Sequence, residues 1–241
     1  MIAALTVRGV SRALKGQPVL GGLDLTVAPG ECRALVGLNG AGKTTALRVM
    51  LGMLRPDAGA VTILETQLPS RDRTVWRSVG HLVETPFCYP ELTARQNIAA
   101  AAAPHGADRA AASKTITELA NTLRFVDWLD TPVRRLSLGT RQKVGIAAAF
   151  VHQPRLILLD EPSNALDPLA VVALRNLIGD ATDRGAAVLV TSHHFDELAR
   201  LADRVDVLHH GRIIDTLTPD GGDLEQRFFR TVLAADSAAV A

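Results

Sequence analysis

The stretch Gly37-Leu38-Asn39-Gly40-Ala41-Gly42-Lys43-Thr44-Thr45 constrains this chain more than any other. An apolar run, Ala34-Leu35-Val36, leads into it, and Leu47, Met50, Leu51 and Leu54 follow at helical spacing. The pattern predicts a strand, a glycine-rich turn and a helix. Glycine at 37, 40 and 42 lets the backbone turn tightly and approach a ligand with no Cβ in the way. The N–H groups of the loop, those of Leu38, Asn39, Ala41 and Thr45 included, then face inward as an anion nest, and the helix N-terminus adds positive dipole. Lys43 brings a mobile full charge for outer phosphates, and Thr44 brings a hydroxyl suited to Mg²⁺. The spacing G-x-x-x-x-G-K-[ST] is that of a phosphate-binding loop.

The rest of the chain must supply a fold around that loop. A length of 241 residues suits one sizeable α/β domain with room for an insert. An apolar content of 47% supports a real core. A formal net charge of +1 gives no electrostatic case for nucleic acid or an acidic membrane surface as partner. Cys32 and Cys88 lie far apart without metal-like spacing and read as structural thiols of a reducing compartment. No apolar run reaches membrane-spanning length, and the opening Met1-Ile2-Ala3-Ala4-Leu5, soon followed by Arg8, is too short for a signal peptide core.

In chain order, residues 2–8 and 23–27 read as short strands, the second from the alternation of Leu23, Leu25 and Val27 with Asp24 and Thr26. Pro56 and Gly59 end the first helix, and Val61 to Leu64 and Val79 to Val83 read as strands. From about residue 93 to 134 the pattern turns helical and alanine-rich. Ile116, Leu119, Ala120 and Leu123 form one apolar helix face, and Pro104-His105-Gly106 separates two helices. The α/β pattern resumes with buried strands at Leu156 to Leu159 and Ala187 to Val190. Leu174, Leu177, Ile178 and Ala181 mark a helix between them. Strands at Asp206 to Leu208 and Arg212 to Leu217 follow, then a surface helix over Leu224 to Leu233 and a frayed tail from Ala234.

The run Leu156-Ile157-Leu158-Leu159 ends in Asp160-Glu161. Carboxylates at the carboxyl end of a buried parallel strand sit where α/β sheets bind ligands. Asp160 is suited to hold Mg²⁺, directly or through water, and Glu161 to orient and deprotonate an attacking water. Acidic residues at a helix start also simply complement the helix dipole; beside a phosphate loop the catalytic reading is preferred.

Phosphate loop, then Leu136-Ser137-Leu138-Gly139-Thr140-Arg141-Gln142, then an apolar strand ending in Asp-Glu, in that order, resemble the ATP-binding cassette (ABC) ATPases. The resemblance runs from about residue 5 to 217. It implies a P-loop NTPase core, a mostly parallel sheet flanked by helices, with an N-terminal antiparallel β part and an inserted helical subdomain. The implied division is a core of residues 1–84 and 135–220, an insert of 85–134, and a C-terminal helix and tail of 221–241. The family's signature is usually Leu-Ser-Gly-Gly-Gln, so Leu138 and Thr140 depart from it. Ser137 keeps the hydroxyl and Gly139 the close backbone N–H that would grip a γ-phosphate; read alone, Ser137 is an ordinary helix cap. Asp167, in Ser163-Asn164-Ala165-Leu166-Asp167, resembles the family's D-loop aspartate. His193, in Thr191-Ser192-His193, resembles its switch histidine, preferred over the adjacent His194.

Two further departures stand out. Where the family usually stacks an aromatic on adenine, this chain has Leu14. Where it carries a glutamine after the strand at 79–83, this chain has Glu84, a carboxylate able to bind Mg²⁺ or the lytic water; read alone, Glu84 is a surface glutamate at a strand end. Glu84, Thr85-Pro86-Phe87-Cys88-Tyr89-Pro90 and Leu138 resemble the bacitracin and lantibiotic self-protection branch of exporters.

The resemblance implies an ATP- and Mg²⁺-dependent ATPase that sandwiches two ATP molecules in a head-to-tail dimer, with a second copy or a paralogue. It implies an integral membrane permease as partner, a peripheral place on the cytoplasmic membrane face, and no nucleic acid. Phe87 and Tyr89 are candidate anchors for the permease, or they close the insert's own small core. Two other functions compete. A soluble ABC ATPase working on nucleic acid or ribosomes would carry a coiled-coil insert, tandem cassettes or a basic patch. A small-molecule P-loop kinase would leave Ser137 to Thr140 and His193 unexplained.

Overall fold

The computed structural model describes residues 2–84, 86, 88–106, 109–219 and 222–240. In chain order, β1 (Leu5–Leu14) and β2 (Gln17–Val27) form a hairpin, and β3 (Cys32–Val36) leads through the glycine-rich loop into α1 (Lys43–Met50). β4 (Ala58–Ile63) and β5 (Thr66–Leu68) follow, then β6 (Val79–Leu82), α2 (Ala94–Ala102), α3 (Arg109–Thr122) and α4 (Leu138–Phe150). β7 (Leu156–Asp160), α5 (Pro168–Asp183), β8 (Ala187–Thr191) and the short α6 (Phe195–Leu198) come next. β9 (Arg204–His209), β10 (Arg212–Leu217) and α7 (Leu224–Val240) complete the succession.

One sheet, ordered β2-β1-β4-β5, is antiparallel throughout. The other is ordered β10-β9-β3-β8-β7-β6, parallel from β9 to β6 with β10 antiparallel at its edge. β7 and β8 are apolar at almost every position because both faces of the sheet are covered. Leu156 and Leu158 enter the core shared with α1 and the antiparallel sheet, whereas Ile157 and Leu159 enter the core shared with α2, α3, α4 and α5. Strand alternation thus feeds two separate cores from one strand.

The strands at 2–8 and 23–27 proved to be parts of a longer hairpin. Register shifts between Val7 and Val10 and between Arg12 and Ala13 break the alternation while pairing continues, which is why the pattern read short. β5 was not foreseen; it follows a turn in which Leu64 and Glu65 take φ of 45° and 71°. α7 runs on to Val240, past the tail expected to fray from Ala234, with the Phe228 ring tilted against that of Phe195 at a centroid distance of 5.0 Å and Asp236 bonded to His209. Helix starts follow their caps. Thr93 and Gln96 form a capping box on α2, Ser137 caps α4, and Asp167 with Pro168 opens α5.

Candidate active site

The parallel order β9-β3-β8-β7 sets the carboxyl ends of β3, β8 and β7 side by side. A cleft of about 440 Å³ opens there, lined by Asn39 to Thr45, by Asp160 and Glu161, and by Leu14 and Val19 of the hairpin. That volume falls in the range of ordinary ligand sites.

The loop glycines have separate reasons. Gly40 and Gly42 hold φ of 83° and 108°, where a side chain is strained. Gly37 is needed for space, since a Cβ there would stand 2.5 Å from the Leu208 carbonyl oxygen. α1 begins at Gly42 with no side-chain cap, so its first N–H groups stay directed at the loop. Lys43 Nζ donates to the Gly37 carbonyl at 2.7 Å and reaches the Leu38 carbonyl at 3.5 Å, which folds the ammonium over the loop.

Asp160 is only 5% exposed, and both carboxylate oxygens are occupied. Thr44 Oγ1 donates to Oδ2 at 2.8 Å and Thr191 Oγ1 to Oδ1 at 2.6 Å. The Thr191 hydroxyl also accepts from the Glu161 N–H at 3.0 Å, and the Thr191 carbonyl accepts from the same N–H at 3.1 Å. Glu161 sits at φ 46°, a left-handed conformation that carries its side chain away from the strand direction. Its Oε2 lies 2.8 Å from His193 Nδ1, whereas His194 makes no hydrogen bond or ion pair with Glu161 among the described residues.

The segment from Ser137 to Thr140 opens α4. Ser137 Oγ accepts from the Thr140 N–H at 3.1 Å and pairs with the Thr140 hydroxyl at 2.9 Å. Gly139 packs on the turn after Glu161, where a Cβ would stand 2.5 Å from the Ala165 carbonyl oxygen. Gln142 Nε2 donates to the Pro162 carbonyl at 3.0 Å, and Lys143 Nζ to Asp167 Oδ2 at 2.7 Å. The bond from Lys143, then the Ala170 N–H, holds the Asp167 carboxyl below its ordinary range. Within one chain, Ser137 and Leu138 are exposed and lie outside the cleft's lining. Glu84 also lies outside that lining, with its carboxylate on Arg48 of α1. Phe87 falls outside the described residues. Tyr89 has its side chain 53% exposed, while its backbone N–H and carbonyl are clasped by the buried Asn97 at 2.7 and 3.1 Å.

A family profile described as "ABC transporter" matches residues 20–164, more than half of the chain. The chain belongs to the ABC transporter family. Among curated relatives, this ABC chain is 34% identical over 199 residues to the bacitracin transport ATP-binding protein BcrA of Bacillus licheniformis, covering 82% of this chain and 64% of that protein. It is 34% identical over 209 residues to the Nod factor export ATP-binding protein I of Rhizobium sp. (strain N33), covering 87% and 69%. The chain therefore spans about two thirds of the length of these relatives. A solved ATP-binding subunit of an ABC transporter superposes with a TM-score of 0.89 at 31% identity, over 95% of this chain and 99% of that one. The fold is also that of cbiO1 from Clostridium perfringens, with a TM-score of 0.77 at 24% identity, over 96% of this chain and 95% of that one. As an ABC domain, the chain binds nucleotide. Among the described residues, no helix of this ABC chain is long and apolar enough to cross a membrane.

Lys143 and Arg48 were not singled out from the sequence, and Thr191 and Gln142 were read only as parts of their segments, without a role of their own. Thr191 had one available signal, a hydroxyl at the end of an otherwise apolar buried strand beside the Asp160 strand. For the other three no partner could be read from the sequence, since a polar residue on a helix reads as a solvated face until its partner is known.

Proposed function

We propose that this chain is the ATP-hydrolysing subunit of an exporter whose membrane-spanning part is a separate protein. The observation that carries this is the pairing of Thr44 with Asp160 and of Glu161 with His193 on neighbouring strand ends facing the loop of Lys43. Lys43 and the loop N–H groups bind the phosphates, and Leu14 with Val19 gives the base an apolar contact in place of an aromatic stack. The oxygens of Thr44 and Asp160, 2.8 Å apart, are hard donors that suit Mg²⁺. When bound, that ion neutralises charge on the phosphates. Glu161 accepts the proton of the attacking water, and His193 holds Glu161 in one rotamer through Nδ1. Glu84, paired to Arg48, serves as an outer carboxylate beside the Thr44 turn.

The exposure of Ser137 and Leu138 away from the cleft supports a site completed by a second subunit, a copy or a paralogue. Ser137 and Gly139 of one subunit face the phosphate loop of the other, and Asp167 lies along the seam. Residues 85–134 act as the inserted helical part. A groove of about 270 Å³ along β6, lined by Met53, Leu82, Pro86, Ala101 and Ala148, supports docking of the membrane protein beside the 84–92 loop. The relatives named for bacitracin transport and Nod factor export support the exporter reading.

The test is Glu161→Gln with ATP on size exclusion. The expected result is retained ATP binding, lost hydrolysis and an accumulated dimer. Hydrolysis at the wild-type rate removes Glu161 from the role of base, and a variant that binds ATP yet stays monomeric at every protein concentration removes the shared site.

A further inference from the structure

The end of β9 and the far half of α7 bring together His209, His210 and Asp236, which the nucleotide site does not use. We propose that these three side chains bind a divalent transition-metal cation of the zinc class, tying α7 to the turn behind the phosphate loop.

The backbone makes the arrangement. Neighbouring residues of an extended strand point to opposite faces. His210 and Gly211 instead form the two-residue loop that joins β9 to β10, with φ of 46° and 75°, and the His210 ring lies 4.1 Å from that of His209. Asp236 reaches back from α7. Its Oδ1 is 2.7 Å from His209 Nε2 and 3.9 Å from His210 Nε2. One ligand atom from each residue falls within 4.8 Å of the others.

The first contact is a hydrogen bond, but 3.9 Å is beyond hydrogen-bond length. The hairpin turn sets His210 beside that pair without bonding it to Asp236, and a cation between the three would join them. Tetrahedral zinc with bonds of about 2.0–2.1 Å separates its ligand atoms by about 3.3 Å. The two separations to Asp236, 2.7 and 3.9 Å, fall on either side of that value, and all three ligand atoms lie within 4.8 Å of one another. Two imidazole nitrogens and one carboxylate oxygen suit zinc, cobalt and nickel, whereas Mg²⁺ takes oxygen donors. The side chains of His210 and Asp236 are 85% and 51% exposed, which leaves an entry path and a place for water as the remaining ligand.

The turn these ligands hold is in contact with the nucleotide loop. The Gly211 N–H donates to the Ala41 carbonyl at 3.2 Å, and the Gly211 carbonyl accepts from the Gly21 N–H at 3.1 Å. A cation that fixes the turn fixes the backbone behind Ala41, so metal occupancy and nucleotide affinity are linked. This last step rests on the nucleotide reading; the metal site does not.

The experiment uses the full chain, tag removed and stripped with chelator, titrated with Zn²⁺ or Co²⁺ alone and no nucleotide. Expected are one bound ion per chain by calorimetry, a visible Co²⁺ ligand-field band, no competition from excess Mg²⁺, and a melting temperature raised by Zn²⁺. His210→Ala and Asp236→Asn, both at exposed positions, should each weaken Zn²⁺ by about tenfold or more and abolish the Co²⁺ band while circular dichroism stays unchanged. His105→Ala should change none of these. No Co²⁺ band in the wild type, or Zn²⁺ binding indifferent to both ligand variants, overturns the metal site. Metal binding as expected with ATP affinity unchanged overturns only the linkage to the loop.

Discussion

Thr191→Val tests the hydrogen-bond frame of the site with little change of shape. The Thr191 side chain is fully buried, and valine fills nearly the same volume, so no cavity opens. The lost interaction is the 2.6 Å bond to Asp160 Oδ1. The Glu161 N–H loses the hydroxyl but keeps the Thr191 carbonyl at 3.1 Å, so the cost falls mainly on the carboxylate. A bond to a charged acceptor is worth about 1.5–3 kcal/mol, and Asp160, at 5% exposure, has little water to replace it. Taking about 2 kcal/mol, the melting temperature of a chain this size should fall by about 4–8 °C. Thr191→Ser should recover most of this, because it keeps the hydroxyl and gives up only a methyl group. Released from one of its donors, Asp160 also loses its fixed orientation toward Thr44. ATP turnover should therefore fall by about tenfold while nucleotide affinity moves by less than about threefold. Thermal melts and steady-state ATPase assays on the three proteins decide it. A Thr191→Val melting temperature within about 1 °C of wild type, with turnover unchanged, refutes the claim that this hydroxyl holds Asp160.

Other outcomes follow from the same structure. Burial, then the nearby His105, depresses His152 from its ordinary 6.5 to about 4, so the folded chain refuses a proton that the unfolded chain accepts. This stability is complete above pH 6.5 and is lost as pH falls toward about 4; His152→Gln should flatten the melting-temperature profile over that window, and an unchanged slope counts against the assignment. Leu14→Tyr should tighten ATP relative to tripolyphosphate by placing a ring at the apolar wall of the cleft, measured by competitive nucleotide titration; equal effects on the two ligands would put the base elsewhere.

The parts legible in the sequence were those in which local chemistry and local structure coincide. The glycine spacing at 37–42 specified a loop because Gly40 and Gly42 answer a local backbone requirement, while the space that Gly37 leaves for the Leu208 carbonyl could not be read from the sequence. The strands read at 156–159 and 187–190 were legible because both faces are buried and the apolar run is unbroken there. What stayed hidden depended on partners far along the chain. The β1 and β2 hairpin looked short because its bulges scramble the alternation by which strands are recognised. Lys143 carries no signal of its own, because Asp167, 2.7 Å away, is brought to it only by the fold, and Glu84 gave no sign of Arg48. Thr191 carries little meaning on its own strand; its role exists only once Asp160 stands opposite it.

The opposition of Asp160 and Thr191 has a consequence for the sheet itself. β7 and β8 are apolar on both faces, so sliding one past the other by a residue would still bury leucine, isoleucine and valine. Greasy strands of this kind are poor at choosing their own alignment. Asp160 stands directly across from Thr191, and their side chains bond only in that alignment. Any slippage would take from Asp160 one of its two side-chain donors, so the same two groups that equip the rim also act as the notch that lets the strands lock in one position.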